Sequence, residues 1–184
     1  MSPADRPIEP AGDDVSGIVV LLPELSGRLG PVCDRFNRGR PPHLSLLTPW
    51  VAPASLTEAD LDAVAQLVKE FDRFELSFDR IDEFPGSPPI LHLSPADSPE
   101  LAALIEDITT VWPDYPPYGG AFDPVLDHLT LATTAGDAER AAIRAELGPL
   151  LPLHSPVAEL AVVQIVDGTF SIRRRFHLGG RRKR

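Results

Sequence analysis

Apolar residues fall along the chain in two kinds of run. Ile18-Val19-Val20-Leu21-Leu22 is unbroken, the signature of a strand covered on both faces. Phe74, Leu76 and Phe78 alternate with Glu75, Ser77 and Asp79, the period of a half-buried strand. Pro23 and Glu24 suit a helix first turn, predicting a helix to about Asn37. Gly39-Arg40-Pro41-Pro42 breaks it, and a strand from His43 to Leu47 follows. Thr57 is a good N-cap with Asp60 in the first turn, and Leu61, Val64, Ala65, Leu67 and Val68 recur at helical spacing behind it.

The order then repeats. Ile90 to Leu93 reads as a strand, and Ser98 caps a helix carrying Leu101, Leu104, Ile105 and Ile108. A long connection from Trp112 to Asp127, rich in Pro and Gly, leads to a strand from His128 to Ala132. Asp137 starts a helix that Gly148 and Pro149 end. A strand near Val157 to Val166 and another near Thr169 to Leu178, joined at Asp167-Gly168, close the chain. Strand-helix-strand-helix-strand thus occurs twice as a repeat of pattern, not of letters.

In that pattern His43-Leu44-Ser45 and His128-Leu129-Thr130 hold equivalent places, each opening the second strand of its half. On a strand, residues i and i+2 share a face, so each segment presents an imidazole beside a hydroxyl. Across a pseudo-twofold axis the two pairs would supply two proton-transfer groups and two hydrogen-bond donors around one bound group. The bare pattern is common: with five His, roughly half a match is expected by chance. His92-Leu93-Ser94 also fits, but Pro95 follows it and it lies in the first strand of its half.

Charge narrows the partners. Residues 1–172 hold 10 Lys and Arg against 27 Asp and Glu, whereas residues 173–184 hold seven basic residues and no acid. An acidic body is a poor non-specific binder of long nucleic acid, whose affinity comes from neutralising phosphates. A phosphorylated end in a local pocket remains compatible. Arg173 and Arg175 share one strand face, opposite Arg174, and either face is a candidate phosphate neutraliser. The single Cys, Cys33, rules out an internal disulfide and reads as a buried thiol. No apolar run reaches membrane-span length and no signal-peptide core opens the chain, which points to a cytoplasmic protein, by default a monomer. Residues 1–15, rich in Pro, Asp, Ala and Gly, are expected to be disordered.

Five segments, in this order, carry a resemblance: Pro41-Pro42-His43-Leu44-Ser45-Leu46-Leu47, Leu91-His92-Leu93-Ser94-Pro95, Tyr115 to Phe122, His128-Leu129-Thr130-Leu131-Ala132, and Phe176-His177-Leu178-Gly179. The chain resembles the two-histidine (2H) phosphoesterase superfamily, within it the 2'-5' RNA ligase and cyclic phosphodiesterase group. Ser45 stands where that group more often has Thr, and Phe170 where it often has Trp. The resemblance implies an α+β, bilobal, pseudo-twofold fold, with two antiparallel sheets facing a central cleft and helices outside. It implies one domain over residues 16–179, built of repeats at about 17–82 and 89–178, with 180–184 as a basic tail. It also implies metal-independent chemistry, with no cofactor, on a 2',3'-cyclic phosphate or 2'-5' phosphodiester at a nucleotide or RNA end.

In that chemistry His43 and His128 share the roles of base and acid in an order the sequence leaves open, and Ser45 and Thr130 hold the non-bridging oxygens. Tyr118 and Phe122, with Tyr115, offer a stacking wall for a base, or core packing of the long connection. His92 borders the cleft as a further substrate contact or is structural; His154 reads as a surface residue and His177 as structural. Zinc-ligand spacing, a phosphate-binding Gly-rich loop with Lys-Ser/Thr, and Gly-x-Ser-x-Gly are all missing. The rival is a binding module that holds a phosphorylated nucleotide or RNA end without turning it over.

Overall fold

Two helices begin where the sequence places a cap. Thr57 accepts from the Asp60 N–H while the Asp60 carboxylate accepts from the Thr57 N–H, closing a capping box on the helix Glu58–Val68. Ser98 accepts from the Leu101 N–H, with Pro99 in the first turn of the helix Pro99–Val111. The computed structural model describes residues 14–120 and 127–179. It runs β1 (Val15–Leu21), α1 (Ser26–Phe36), β2 (His43–Leu47), α2 (Glu58–Val68), β3 (Phe74–Phe84), β4 (Ile90–Pro95), α3 (Pro99–Val111), β5 (Leu129–Ala132), α4 (Asp137–Leu147), β6 (Leu153–Val157), β7 (Glu159–Val166) and β8 (Thr169–His177). Residues 1–13, within the stretch expected to be disordered, and the basic tail 180–184 lie outside the described residues, whereas Val15 already belongs to β1.

The fold is α+β, as expected. In place of two separate sheets, the eight strands join in one, in the order β6-β3-β4-β5-β2-β1-β7-β8, every pair antiparallel. The two four-stranded halves meet where Leu44 of β2 faces Leu129 of β5. Outward from that junction the strands correspond in pairs: β2 to β5, β1 to β4, β7 to β3, β8 to β6. The halves are interlaced. β3, from the first repeat, pairs with β4; β7, from the second, pairs with β1. Helix α1 packs behind β5 and α3 behind β2.

One face of the sheet is sealed by the helices. Ile18, Val20, Leu44, Leu46, Leu76, Phe78, Leu91, Leu93, Leu129 and Leu131 form a single core with Leu29, Val32, Leu61, Val64, Leu104, Ile108, Ile143 and Leu147. A Leu buried this way contributes about 1.5–3 kcal/mol. A one-residue slip of β2 or β5 would turn its leucines outward and its histidine inward, so the core fixes which face each histidine takes. On the open face Val19 and Leu21 pack with Ala161, Val163, Phe170 and Ile172 in a small second cluster.

Two local features shape that face. At Gly17 a Cβ would lie 2.1 Å from Thr48 Oγ1, so the closeness of β1 to the end of β2 requires glycine. In β3 the register against β4 shifts between Phe78 and Arg80, leaving Asp79 as an extra residue. Before it Leu76 and Phe78 face the core; after it Ile81 does, and Asp82 and Phe84 turn to the open side.

Candidate active site

Antiparallel pairing of Leu44 with Leu129 dictates the geometry of the centre. It sets His43 opposite Thr130 and Ser45 opposite His128, the residue before β5. Residues opposite each other in an antiparallel pair share a face, so all four side chains stand together on the open side. His43 and His128 are then diagonal neighbours, with backbones about 7–8 Å apart. The two motifs, far apart in sequence, form one crossed quartet in which each imidazole has a hydroxyl beside it and another across from it.

The surroundings of the two histidines differ. His43 lies 5.5 Å from the Phe170 ring and its Nδ1 is 2.7 Å from the Pro41 carbonyl. A carbonyl only accepts, so Nδ1 carries the proton and the neutral ring offers Nε2 as acceptor. Burial pushes this imidazole below the ordinary histidine range; the Pro41 hydrogen bond opposes that and the Arg40 charge reinforces it. His128 is held in an aromatic clamp: the edge of Phe84 at 4.7 Å, His92 at 5.4 Å and the stacked ring of Tyr118 at 5.7 Å.

Tyr118 reaches His128 because its backbone takes φ 54°, a left-handed conformation uncommon for a residue with a side chain. Its N–H donates to the Thr48 carbonyl at 2.7 Å, pinning the turn Pro117–Gly120 to the end of β2. Such a conformation costs on the order of 1–3 kcal/mol and persists where surroundings impose it. Phe122, the other aromatic read as a stacking wall, lies outside the described residues.

His92 joins the cluster. It faces Thr130 across β4 and β5, stacks on Phe84 at 4.0 Å and is 3 % exposed. Being buried behind His128, it is placed to orient that ring. Burial lowers its pKa, against an opposing hydrogen bond to the Ile90 carbonyl. Thr130 is anchored from the core side, where buried Asn37 donates from Nδ2 to its carbonyl at 3.2 Å. Sequence reasoning missed Phe84, Asn37 and Arg40. The first is hidden by the bulge, and the other two sit at the end of α1 and in the break before β2, where no periodicity marks a role.

Two cavities flank the quartet. A small one of about 60 Å³ is lined by Arg40, His43, Ser45, Thr48 and Phe170. A larger one of about 820 Å³, the size of a small-molecule site, is lined by Asp82, Phe84, His92, Ser94, Asp97 and Asp127. Burial raises the Asp127 pKa, and burial with the Asp127 charge pushes the Tyr118 phenol up to about 12. Among the described residues no group of three or more His, Cys, Asp or Glu is arranged to hold a metal ion, and no helix is long and apolar enough to cross a membrane. Cys33 is buried, its thiol pushed up to about 12 by burial and then by Asp34. His154 and His177 are exposed, on β6 and β8.

These shifts have a stability consequence. A histidine whose folded pKa is lowered binds fewer protons than the unfolded chain, so stability rises with pH across the gap. For His43 and His92 the contribution is intact above the unfolded value of about 6.5 and falls as pH drops from there toward the folded values. Asp127 acts with opposite sign within the carboxylate range. Thermal midpoints between about pH 7.5 and 5.5 are expected to fall with pH, and the fall to flatten in a His43→Gln/His92→Gln variant.

The fold has known counterparts. Escherichia coli LigT complexed with 3'-AMP superimposes with a TM-score of 0.60 at 14% identity, over 91% of this chain and 99% of that one. TT0787 of Thermus thermophilus gives 0.59 at 18% identity, over 90% and 98%. Apo E. coli LigT gives 0.57 at 16% identity, over 89% and 96%. No curated protein matches the sequence. The sequence profile of the 2'-5' RNA ligase superfamily matches residues 31–169, a stretch that contains both histidine motifs, the turn carrying Tyr118 and the clamp around His128, and the chain belongs to that superfamily.

Proposed function

We propose that this protein is a phosphodiesterase of nucleotide or RNA ends, hydrolysing a 2',3'-cyclic phosphate or a 2'-5' phosphodiester without a metal, and able to run the same step backwards as a 2'-5' ligation. The observation that carries the reading is the β2–β5 register, which makes a crossed quartet of His43, Ser45, His128 and Thr130. LigT has been seen with 3'-AMP, with ATP, with NADP+ and with phosphate, which supports a nucleotide phosphate as the ligand of this cleft as well.

In the hydrolytic direction water attacks phosphorus in line with the leaving ribose oxygen. The new O–P bond forms as the P–O bond to the ribose breaks. His43, neutral and with Nε2 free of the Pro41 hydrogen bond, takes the proton from water. His128, steadied by Phe84, His92 and Tyr118, gives its proton to the departing oxygen. Ser45 and Thr130 donate to the non-bridging oxygens, where charge must be held. The two imidazoles end with their protonation exchanged, and solvent resets them. Four carboxylates against the single Arg80 on the wall of the larger cavity disfavour a second phosphate there, so it receives the nucleoside, with Phe84 as an apolar surface.

Incubation with each of the four 2',3'-cyclic nucleotides in EDTA tests this directly. Nucleoside monophosphate is expected with all or some of them, with the isomer identified by chromatography. Stoichiometric binding with no product, there and with a 2'-5' dinucleotide, would replace the enzyme by a binding module.

A further inference from the structure

The arginines near the cleft divide by what they touch. Arg174 pairs with Glu58, Arg175 with Glu159, Arg140 with Asp137 and Glu83, and Arg144 with Glu83. Each is already opposed by a carboxylate. Arg40 differs. Its Nε is buried and, among the described residues, meets no hydrogen-bond acceptor. It lines the cavity of about 60 Å³ together with His43 and Ser45. A second buried polar atom on the same cavity, Thr48 Oγ1, also lacks a partner among the described residues. Buried donors without acceptors are rare in native proteins, and two on one cavity beside a histidine point to an acceptor that arrives from outside.

We propose that Arg40 is the cation of the site, binding a phosphoryl oxygen of the substrate in the cavity it shares with His43 and Ser45. The proposal rests on the phosphodiesterase reading for the identity of the substrate, though not for the anion itself. A guanidinium offers a planar fork of N–H donors that matches two oxygens of one phosphate. Arg40 lies shortly before His43, in the Gly-Arg-Pro-Pro segment, where its backbone N–H donates to the Asn37 carbonyl at 3.1 Å. The same short stretch of chain therefore fixes both the anion-binding group and the imidazole. Its charge also favours the neutral form of His43, the form that accepts a proton.

Calorimetric titration with inorganic phosphate, and kcat and KM for a 2',3'-cyclic nucleotide across pH, test this on wild type, Arg40→Met and Arg40→Lys. Arg40→Met is expected to weaken phosphate binding about ten- to hundredfold with the thermal midpoint kept. It is also expected to move the acid limb of kcat/KM to higher pH as His43 loses its positive neighbour. Arg40→Lys restores the charge without the fork, so it should recover the pH limb and only part of the affinity. Phosphate affinity and acid limb unchanged in Arg40→Met would overturn the proposal while leaving the hydrolase reading intact. Phosphate binding that depends on Arg40 in a protein without turnover would uphold the proposal and sink that reading. Should Arg40→Met fail to fold, Arg40→Lys decides: a severalfold loss of phosphate affinity supports the fork, and wild-type affinity rejects it.

Discussion

Alanine at His43 or at His128 is expected to lower kcat/KM for a cyclic nucleotide by about 10²–10⁴-fold, each variant losing one limb of a bell-shaped pH profile. The two losses should not add. A proton must be taken and given in one displacement, so removing either group already breaks the concerted path, and the double variant should fall little below the worse single. The limbs carry the assignment. With His43 as base, His43→Ala loses the acid limb, which reports a group that must be unprotonated; His128→Ala loses the alkaline limb. The opposite pattern would exchange the roles, and turnover unchanged in both would remove the site. Folding is a weak confounder at His43, which stands on the open face against Phe170. At His128 it is a stronger one, because three rings pack on the imidazole, and Asn there keeps more of the clamp than Ala does. Equal thermal midpoints make the kinetic comparison valid.

The proposed acid and base roles draw on a contrast between two histidines set in a symmetric frame. β2 and β5 occupy equivalent positions about the junction, and their motifs have the same spacing. What distinguishes them arrives from other elements. On the β2 side, Phe170 of β8 and Arg40 line a small cavity, and the Pro41 carbonyl holds His43 Nδ1. On the β5 side, Phe84 of β3, His92 of β4 and the Tyr118 turn make an aromatic clamp beside an acidic cavity. One side suits a phosphate and a neutral imidazole; the other suits a nucleoside. Burial holds His43 below the ordinary histidine range, while the ring of His128 is fixed in place by its three aromatic neighbours.

The motifs and the helices were legible because local rules decide them. Thr57 and Ser98 cap the helices they were expected to cap, and Leu44, Leu46, Leu129 and Leu131 point the paired motifs outward by alternation alone. The pairing partners were not legible. That β3 leaves its own repeat to lie beside β4, and β7 to lie beside β1, depends on long-range packing that no window of sequence contains. β6 escapes the alternation rule because Pro152 and Pro156 interrupt the run around Leu153–Val157, yet a strand at the edge of a sheet tolerates proline. Leu153, Ser155 and Val157 are buried against β3 there. Pro95 ends the His92 motif and gives it no local mark of a role, but its position relative to His128 is set by the register with Thr130 across the sheet. Phe84 follows the same logic: one extra residue at Asp79 turns it from the core face to the open face, and bulges are not written in composition.

Removing the hydroxyl from Thr130, by Thr130→Val, or from Ser45, by Ser45→Ala, is expected to lower kcat by about 10²–10³-fold with KM changed far less. The split follows from where the charge lies. The cyclic diester enters with one negative charge shared by its two non-bridging oxygens, and the charge on those oxygens grows as water adds. Donors aimed at them bind the transition state more strongly than the ground state, so their loss appears in kcat. The crossed register makes the two hydroxyls equivalent in kind, since each sits beside one histidine and opposite the other. Their mountings differ. Thr130 is β-branched and held through its carbonyl by Asn37, so its hydroxyl is fixed by backbone and rotamer together. Ser45 has no methyl to restrict it, and Ser45→Thr is therefore expected to retain activity and to raise kcat modestly if the cavity beside Arg40 accepts the added carbon. A loss in KM alone for both deletion variants would mean that the hydroxyls hold the substrate without following the charge, and would return the burden of stabilising it to Arg40.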